Sequence, residues 1–514
     1  MTVSDFLNHW SLTENPFRGE EARSDAVFAR MGAASKGGFD GGTYHSDFEK
    51  IFGDPRRPGA SVVFGEKGSG KTAIRLQIAR RIGEYNHSNP GAKLLLVPYD
   101  DLNGVLDRLH DRLGGKTPLE SLQKLRLVDH MDAILHAVTP RLVDAVLDPD
   151  CIADGLDLGQ GSGKPVKRLS KDLRIELLLL QAVYDRPDQA DARTILLRRR
   201  LRIGPPPAVF WGGLLLAVIP VVLIAGLVYV NFFTLPDLVP RRIADWALAI
   251  VAALWALAAL KIAVWDRLAL LRTGHRVRRQ IRVVQRGDIS YARALRQIRP
   301  SNREGANLPL SDSDESRYLM LERLRRVLNA FGYAGMIVVL DRVDEPTLVS
   351  GDPDRMKAVV WPLLNNKFLQ QEGLGLKMLL PMELRHAVFR ESSSFFQEAR
   401  LDKQSLIEHL TWTGAMLYDL CESRMAACTA EGAPKSKLID LFAEDVARQD
   451  VVDALDRLHQ PRDAFKLMYR CIGEHCASVT RGQEEWKIPR HVLASVVKQE
   501  AERVQQMFRG IRPG

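Results

Sequence analysis

Apolar residues recur along the chain on two length scales, and each scale predicts a different kind of element. Runs of strand length appear at Ser61–Phe64 (SVVF), Leu94–Tyr99 (LLLVPY), Met336–Leu340 (MIVVL) and Leu374–Pro381 (LGLKMLLP). Apolar runs that do not alternate with polar residues mark strands covered on both faces. Stretches with helical spacing lie between and after them, such as AIRLQIARRIGEY behind the first run and LIEHLTWTGAMLYDLCESRMAAC behind the last. Strands separated by helices predict a parallel α/β sheet. Residues 101–200 read mainly as amphipathic helix and Ser301–Glu315 as a polar loop; no repeat at solenoid periods is present.

The longer scale is that of a bilayer. Ala208–Phe233 carries no charge over 26 residues, and Ile243–Trp265 is uncharged from Trp246 to Leu260. About 20 apolar residues suffice for a helix to cross the hydrocarbon core, so a transmembrane hairpin is expected, with Trp246, Lys261 and Trp265 at its interfaces. Arg198, Arg199, Arg200 and Arg202 precede the hairpin, and Arg267, Arg272, Arg276, Arg278, Arg279 and Arg282 follow it. The short connection holds only Arg241 and Arg242. This bias predicts that both long flanks, and hence both termini, are cytoplasmic. The start MTVSDFLNHW has neither a basic stretch nor an apolar core, so no cleaved signal peptide is expected.

Composition adds where the charge sits. The net charge is +9, and residues 266–299 hold ten arginines against two aspartates. Beside a membrane helix this run is expected to meet anionic lipid headgroups. Clustered arginine also neutralises nucleic-acid phosphates, but that partner is less favoured, because membrane topology alone requires this charge there. The 5 cysteines are too few and too scattered for a secreted disulfide framework and indicate a reducing compartment.

The first apolar run leads into Gly65-Glu66-Lys67-Gly68-Ser69-Gly70-Lys71-Thr72 and then a helix, which is GxxxxGK[ST] in the context its chemistry needs. Gly65, Gly68 and Gly70 let the backbone N–H groups of the loop, those of Lys67 and Ser69 included, curl around phosphates. The helix offers its positive N-terminal end. Lys71 is placed to reach the β- and γ-phosphates and Thr72 to hold Mg²⁺. A second glycine cluster, Gly159–Lys164, ends in Lys164-Pro165 without the hydroxyl and reads as a linker. Far downstream, MIVVL ends in Asp341-Arg342-Val343-Asp344-Glu345. Asp341, at the end of a core strand, takes the position of a Mg²⁺-side aspartate, and Asp344 and Glu345 are candidates to polarise an attacking water.

With GEKGSGKT and VVLDRVDE separated by an insertion carrying two membrane helices, the chain resembles the KAP family of P-loop NTPases in the AAA+/STAND superfamily. The resemblance implies a P-loop sheet with a C-terminal helical lid that binds and hydrolyses ATP with Mg²⁺. It also implies a membrane-tethered bacterial protein; several such proteins are associated with mobile elements or phage exclusion. Gln460-Pro461-Arg462 is similar to the Pro-Arg of a lid, which would make Arg462 a nucleotide sensor, while Glu383 and Arg385 occupy a weaker sensor-like position. Arg342 stands where many relatives carry a second acid.

The expected organisation is an N-terminal arm (1–55), the first part of the NTPase core (56–100), a helical insertion (101–200) and the hairpin (201–268, helices 208–233 and 243–265). A basic juxtamembrane helix and linker (269–330), the second part of the core (331–410) and the lid (411–514) follow. The expected function is a two-pass inner-membrane ATPase, assembled as a homo-oligomer, in phage defence or membrane-linked signalling. The alternative is an ATP-gated oligomeric switch that does not turn over.

Overall fold

Five strands form one sheet in the order β2-β3-β4-β1-β5: β1 (Ser61–Gly65), β2 (Lys93–Tyr99), β3 (Tyr333–Leu340), β4 (Leu374–Pro381) and β5 (Ser405–Ile407). β1 runs parallel to β4 and β5, and β4 parallel to β3. Every residue of β1 and β4 is buried, which is why these strands carry continuous apolar sequence. The register sets Gly65 beside Pro381 and Leu340 beside Met378. The loops leaving β1, β3 and β4 therefore emerge at the same edge.

The computed structural model describes residues 1–19, 21–34, 44–148, 156–158, 166, 169–206, 219–226, 264–399, 401, 405–480 and 485–508, together with 229, 246, 249, 250, 253–255 and 257. The chain divides into two compact units, Met1–Leu102 with Gly335–Gly514, and Asn103–Ala334. The glycine clusters at 37–42 and 159–164 lie outside the described residues.

In the first unit the C-terminal helices Gly414–Cys428, Arg448–Asp456, Pro461–Ser478 and Arg490–Phe508 enclose their own core. The beginning of the chain belongs to that core: Phe6, Leu12, Phe17 and Val27 pack into it. Asn15 Oδ1 accepts from Phe17 N at 3.0 Å, an Asx turn that points the Phe17 ring inward. The stretch from Leu406 to Cys428, which reads as one amphipathic segment, is divided. Leu406 and Ile407 extend the sheet as β5, and the helix starts only at Gly414, where Thr413 caps it by accepting from Met416 N. Glycine is required there, because a Cβ would lie 2.2 Å from the Val452 carbonyl oxygen.

The second unit is helical. Arg317 and Asp132, both 0% exposed, are paired in its interior at 3.4 Å, and Tyr184 Oη donates to the same carboxylate at 2.8 Å. Burial raises the Asp132 carboxyl above its ordinary range, and the Arg317 charge opposes that rise. Part of the arginine-rich run turns inward. Arg286, 3% exposed, donates to Ala182 O at 2.8 Å, and Arg282 meets Asp129 at 3.5 Å. Arg112 donates to the carbonyls of Arg278, Ile281 and Val284, fixing the chain just after the helix Asp266–Gln280. Within the expected loop Ser301–Glu315 lie most of a short helix, Pro300–Glu304, and the start of the helix Asp314–Ala330.

Most of the two long apolar blocks lies outside the described residues. Among the described residues no helix is long and apolar enough to cross a membrane. Among the described positions of the blocks, Val221, Val222 and Ile224 are 56–64% exposed and Trp246, Ile250, Leu254 and Leu257 are 57–72% exposed.

Lys377 is the polar exception in β4. It is 1% exposed, and burial alone pushes its amine down from 10.5 to about 8. Its charged form is disfavoured in the fold, so the unfolded chain binds more protons between about pH 8 and pH 10.5 and stability rises across that window. Below pH 8 the full cost, on the order of 3 kcal/mol from the size of the shift, is present. Lys377→Met is expected to raise the thermal-unfolding midpoint at pH 7, with the gain shrinking towards pH 10; an unchanged midpoint at pH 7 would contradict this.

Candidate functional site

The loop after β1 folds as its glycines dictate. Gly68 and Gly70 have φ of +101° and +94°, which side-chain-bearing residues rarely adopt, and a Cβ on Gly65 would stand 2.5 Å from Ser69 Oγ. Gly70 caps the helix Lys71–Ser88, so the first N–H groups of that helix face the loop. The Lys71 amine folds back to donate to Gly65 O at 2.7 Å and Glu66 O at 2.9 Å. Burial pushes it below the usual lysine value, while the carboxylates of Asp341, Asp344 and Glu383 act the other way.

Asp341, at the end of β3, is 1% exposed and accepts from Thr72 Oγ1 at 3.2 Å. Burial raises its carboxyl, opposed first by Arg75 and then by Lys71. Arg75 Nε lies 3.7 Å from Asp341 and pairs through Nη1 with Asp100. Arg342 has φ of +61°, and its N–H donates back to Asp341 Oδ1 at 3.0 Å. A side chain in the left-handed region is a strained choice, and here it turns the backbone so that Asp341 is held by its neighbour. The Arg342 guanidinium donates to Glu345 at 2.7 Å.

Lys67, Gly68, Gly70, Lys71, Thr72, Asp341, Asp344, Glu345 and Arg462 all line one cavity. Gly65 and Ser69, expected at the site, are not part of its lining; their carbonyls accept from Lys71 and Trp412. Glu383 lines the cavity, whereas Arg385 turns away to Glu408 at 3.0 Å and stacks over Phe389. Four buried polar atoms around it have no hydrogen-bond partner among the described residues: Ser69 Oγ, Arg75 Nε, Arg462 Nε and Arg424 Nη2.

Several lining residues were not expected from the sequence. Glu21, Arg23, Asp25 and Phe28 come from the arm, and Trp412, Leu420, Arg424 and Phe465 from the C-terminal helices and the segment before them. Trp412 Nε1 donates to Ser69 O at 2.8 Å, its ring meets His45 edge-on at 5.0 Å, and it packs beside Gly70. Gln460 donates to Glu66, and the Cβ of Arg462 would lie 3.1 Å from a Cβ on Gly68. The C-terminal helices thus close directly on the loop. Arg424 shares its helix with Asp419 and Glu422, so its charge alone does not single it out in the sequence.

The oxygen set suits a small hard cation bound with phosphate. Thr72 and Asp341 supply two oxygens in mutual contact, and among the described residues no three His, Cys, Asp or Glu side chains converge to form an all-protein cage. Mg²⁺ ordinarily takes one or two protein oxygens and completes its shell with phosphate and water. Comparison of the chain with protein-family models, described proteins and solved structures gives no match.

Trp412→Phe keeps the ring and removes the donor, leaving the Ser69 carbonyl unpaired. Loss of one such bond, about 1 kcal/mol, corresponds to roughly fivefold faster hydrogen exchange in the 66–71 segment. Exchange unchanged from wild type would show that the bond does not hold the loop.

Proposed function

We propose that the chain is a membrane-anchored, Mg²⁺-dependent ATPase of the P-loop class, similar in organisation to the AAA+/STAND proteins with a helical lid. The observation that carries the reading is the contact of Thr72 with Asp341. These residues are 269 positions apart in sequence, and the parallel strands bring them to one edge beside Lys71. A P-loop alone is a motif; a P-loop whose hydroxyl meets a buried strand-end carboxylate supports a Mg-nucleotide site.

The roles follow from position. The backbone from Lys67 to Gly70 and the N-terminus of the helix Lys71–Ser88 receive the phosphates. Lys71, released from the Gly65 and Glu66 carbonyls, is within its own reach of the phosphate end. Thr72 and Asp341 hold Mg²⁺, which when bound neutralises charge on the phosphates. Asp344 is the better candidate to orient the attacking water, because Glu345 is 50% exposed and accepts from Arg342. Arg462 approaches from the lid beside Gly68 and senses the phosphates. The anchoring half of the proposal rests on the two long uncharged blocks and on the exposure of their described apolar residues. Exposed arginines of the 266–299 run would face anionic headgroups, while Arg282 and Arg286 serve the protein interior. A homo-oligomer is the assembly we favour.

One observation favours a second reading, an ATP-gated switch that turns over negligibly. Arg342 occupies the position after Asp341 and engages one of the two candidate acids. Phosphate release by the detergent-solubilised chain separates the readings. Wild type is expected to release phosphate only with Mg²⁺, Lys71→Ala to lose at least tenfold, and the double variant Asp344→Asn, Glu345→Gln to lose turnover while keeping ATP bound. Tight ATP binding without turnover in wild type would select the switch, and absence of binding would end both readings. In the same preparation, reconstituted vesicles are expected to retain the chain through an alkaline carbonate wash; its quantitative release would contradict anchoring.

A further inference from the structure

The cavity that takes in the phosphate loop is also lined by the apolar Ala22 and Phe28 of the arm and Leu420 and Phe465 of the C-terminal helices, with Glu21, Arg23 and Arg424 beside them. Arg424 is 2% exposed and is held on three sides: Nε donates to Pro16 O at 2.6 Å, Nη1 donates to Asp25 Oδ2 at 2.5 Å, and the guanidinium lies 4.4 Å above the Phe465 ring. Its remaining nitrogen, Nη2, is buried and has no hydrogen-bond partner among the described residues. A buried, unused donor on a charged group is costly, and a ligand that accepts from it removes that cost.

The charge balance says which kind of acceptor fits. Asp25 sits against Arg424 and is itself fixed by accepting from Val27 N at 2.9 Å and Phe28 N at 3.2 Å. The pair is neutral as a unit, and Glu21 and Arg23 of the same lining carry opposite charges, so this part of the cavity offers a directed hydrogen bond without a surplus positive charge. A phosphate would meet the Asp25 carboxylate there; a flat, uncharged heterocycle would meet apolar walls and one donor.

We propose that Arg424 reads the base of the nucleotide, donating through Nη2 to a ring acceptor on the base edge, such as a purine ring nitrogen. The ligand class is then a nucleoside triphosphate with an acceptor on its base, and Arg424 is a specificity-determining residue. Because its other nitrogens hold Pro16 and Asp25, base recognition also needs the arm to be docked on the C-terminal helices. This inference rests on the reading of the phosphate loop given above.

The test uses the full chain in detergent and compares Mg-ATP with Mg-ribose 5-triphosphate, which keeps the sugar and phosphates and lacks the base. Arg424→Gln is expected to weaken Mg-ATP binding about tenfold and to leave the ribose triphosphate within twofold. Equal losses for both ligands, or none for ATP, would overturn the assignment. Should Arg424→Gln unfold because Asp25 is left unpaired, the variant Asp25→Asn, Arg424→Gln removes both charges, and the same selective loss is expected of it. Failure of wild type to bind either ligand would instead overturn the phosphate-loop reading.

Discussion

The hydrogen bond from Thr72 to Asp341 depends on a constraint set by the sheet. β4 lies between β1 and β3, in parallel register with both, and so fixes the distance between the loop that follows Gly65 and the loop that follows Leu340. Shifting either strand by one residue would turn its side chains to the opposite face. The complete burial of β1 and β4 is therefore also what positions the site: the core specifies the register, and the register brings a hydroxyl, an amine and a carboxylate together.

The site's electrostatics follow from the same placement. Lys71 and Asp341 are both pushed by burial towards their neutral forms, and each restrains that tendency in the other. Around them stand groups with unused capacity, Ser69 Oγ and Arg462 Nε at the loop and Arg424 Nη2 beside the apolar lining. Buried charges and unpaired donors gathered around one cavity are a feature of functional sites. Trp412, joined to the Ser69 carbonyl, and Gln460, joined to Glu66, couple the C-terminal helices to the loop.

The features legible in the sequence were those encoded locally. GEKGSGKT needs glycine where φ is positive, and the structure has Gly68 and Gly70 in that conformation. MIVVL followed by Asp341 needs only a buried strand and its end. The four strands read from apolar runs are present, whereas β5 was hidden because three residues, Ser405-Leu406-Ile407, are too few to show a period and merge with the helix behind them. The Arg424 side of the cavity was hidden for a different reason. Asp25 and Arg424 are 399 residues apart, and nothing local tells a charge that pairs across the fold from one that faces water. Likewise nothing local in Asn15-Pro16-Phe17 indicates that the Pro16 carbonyl would hold Arg424.

The most direct test of the account is whether Thr72 and Asp341 act as one cation site for a bound nucleotide. The measurement is the equilibrium affinity of the full chain for ATP with and without Mg²⁺, in wild type and in Asp341→Asn. The account predicts that Mg²⁺ strengthens binding to wild type at least tenfold and that this enhancement disappears in Asp341→Asn. Binding that ignores Mg²⁺, or an enhancement that survives the substitution, would contradict it.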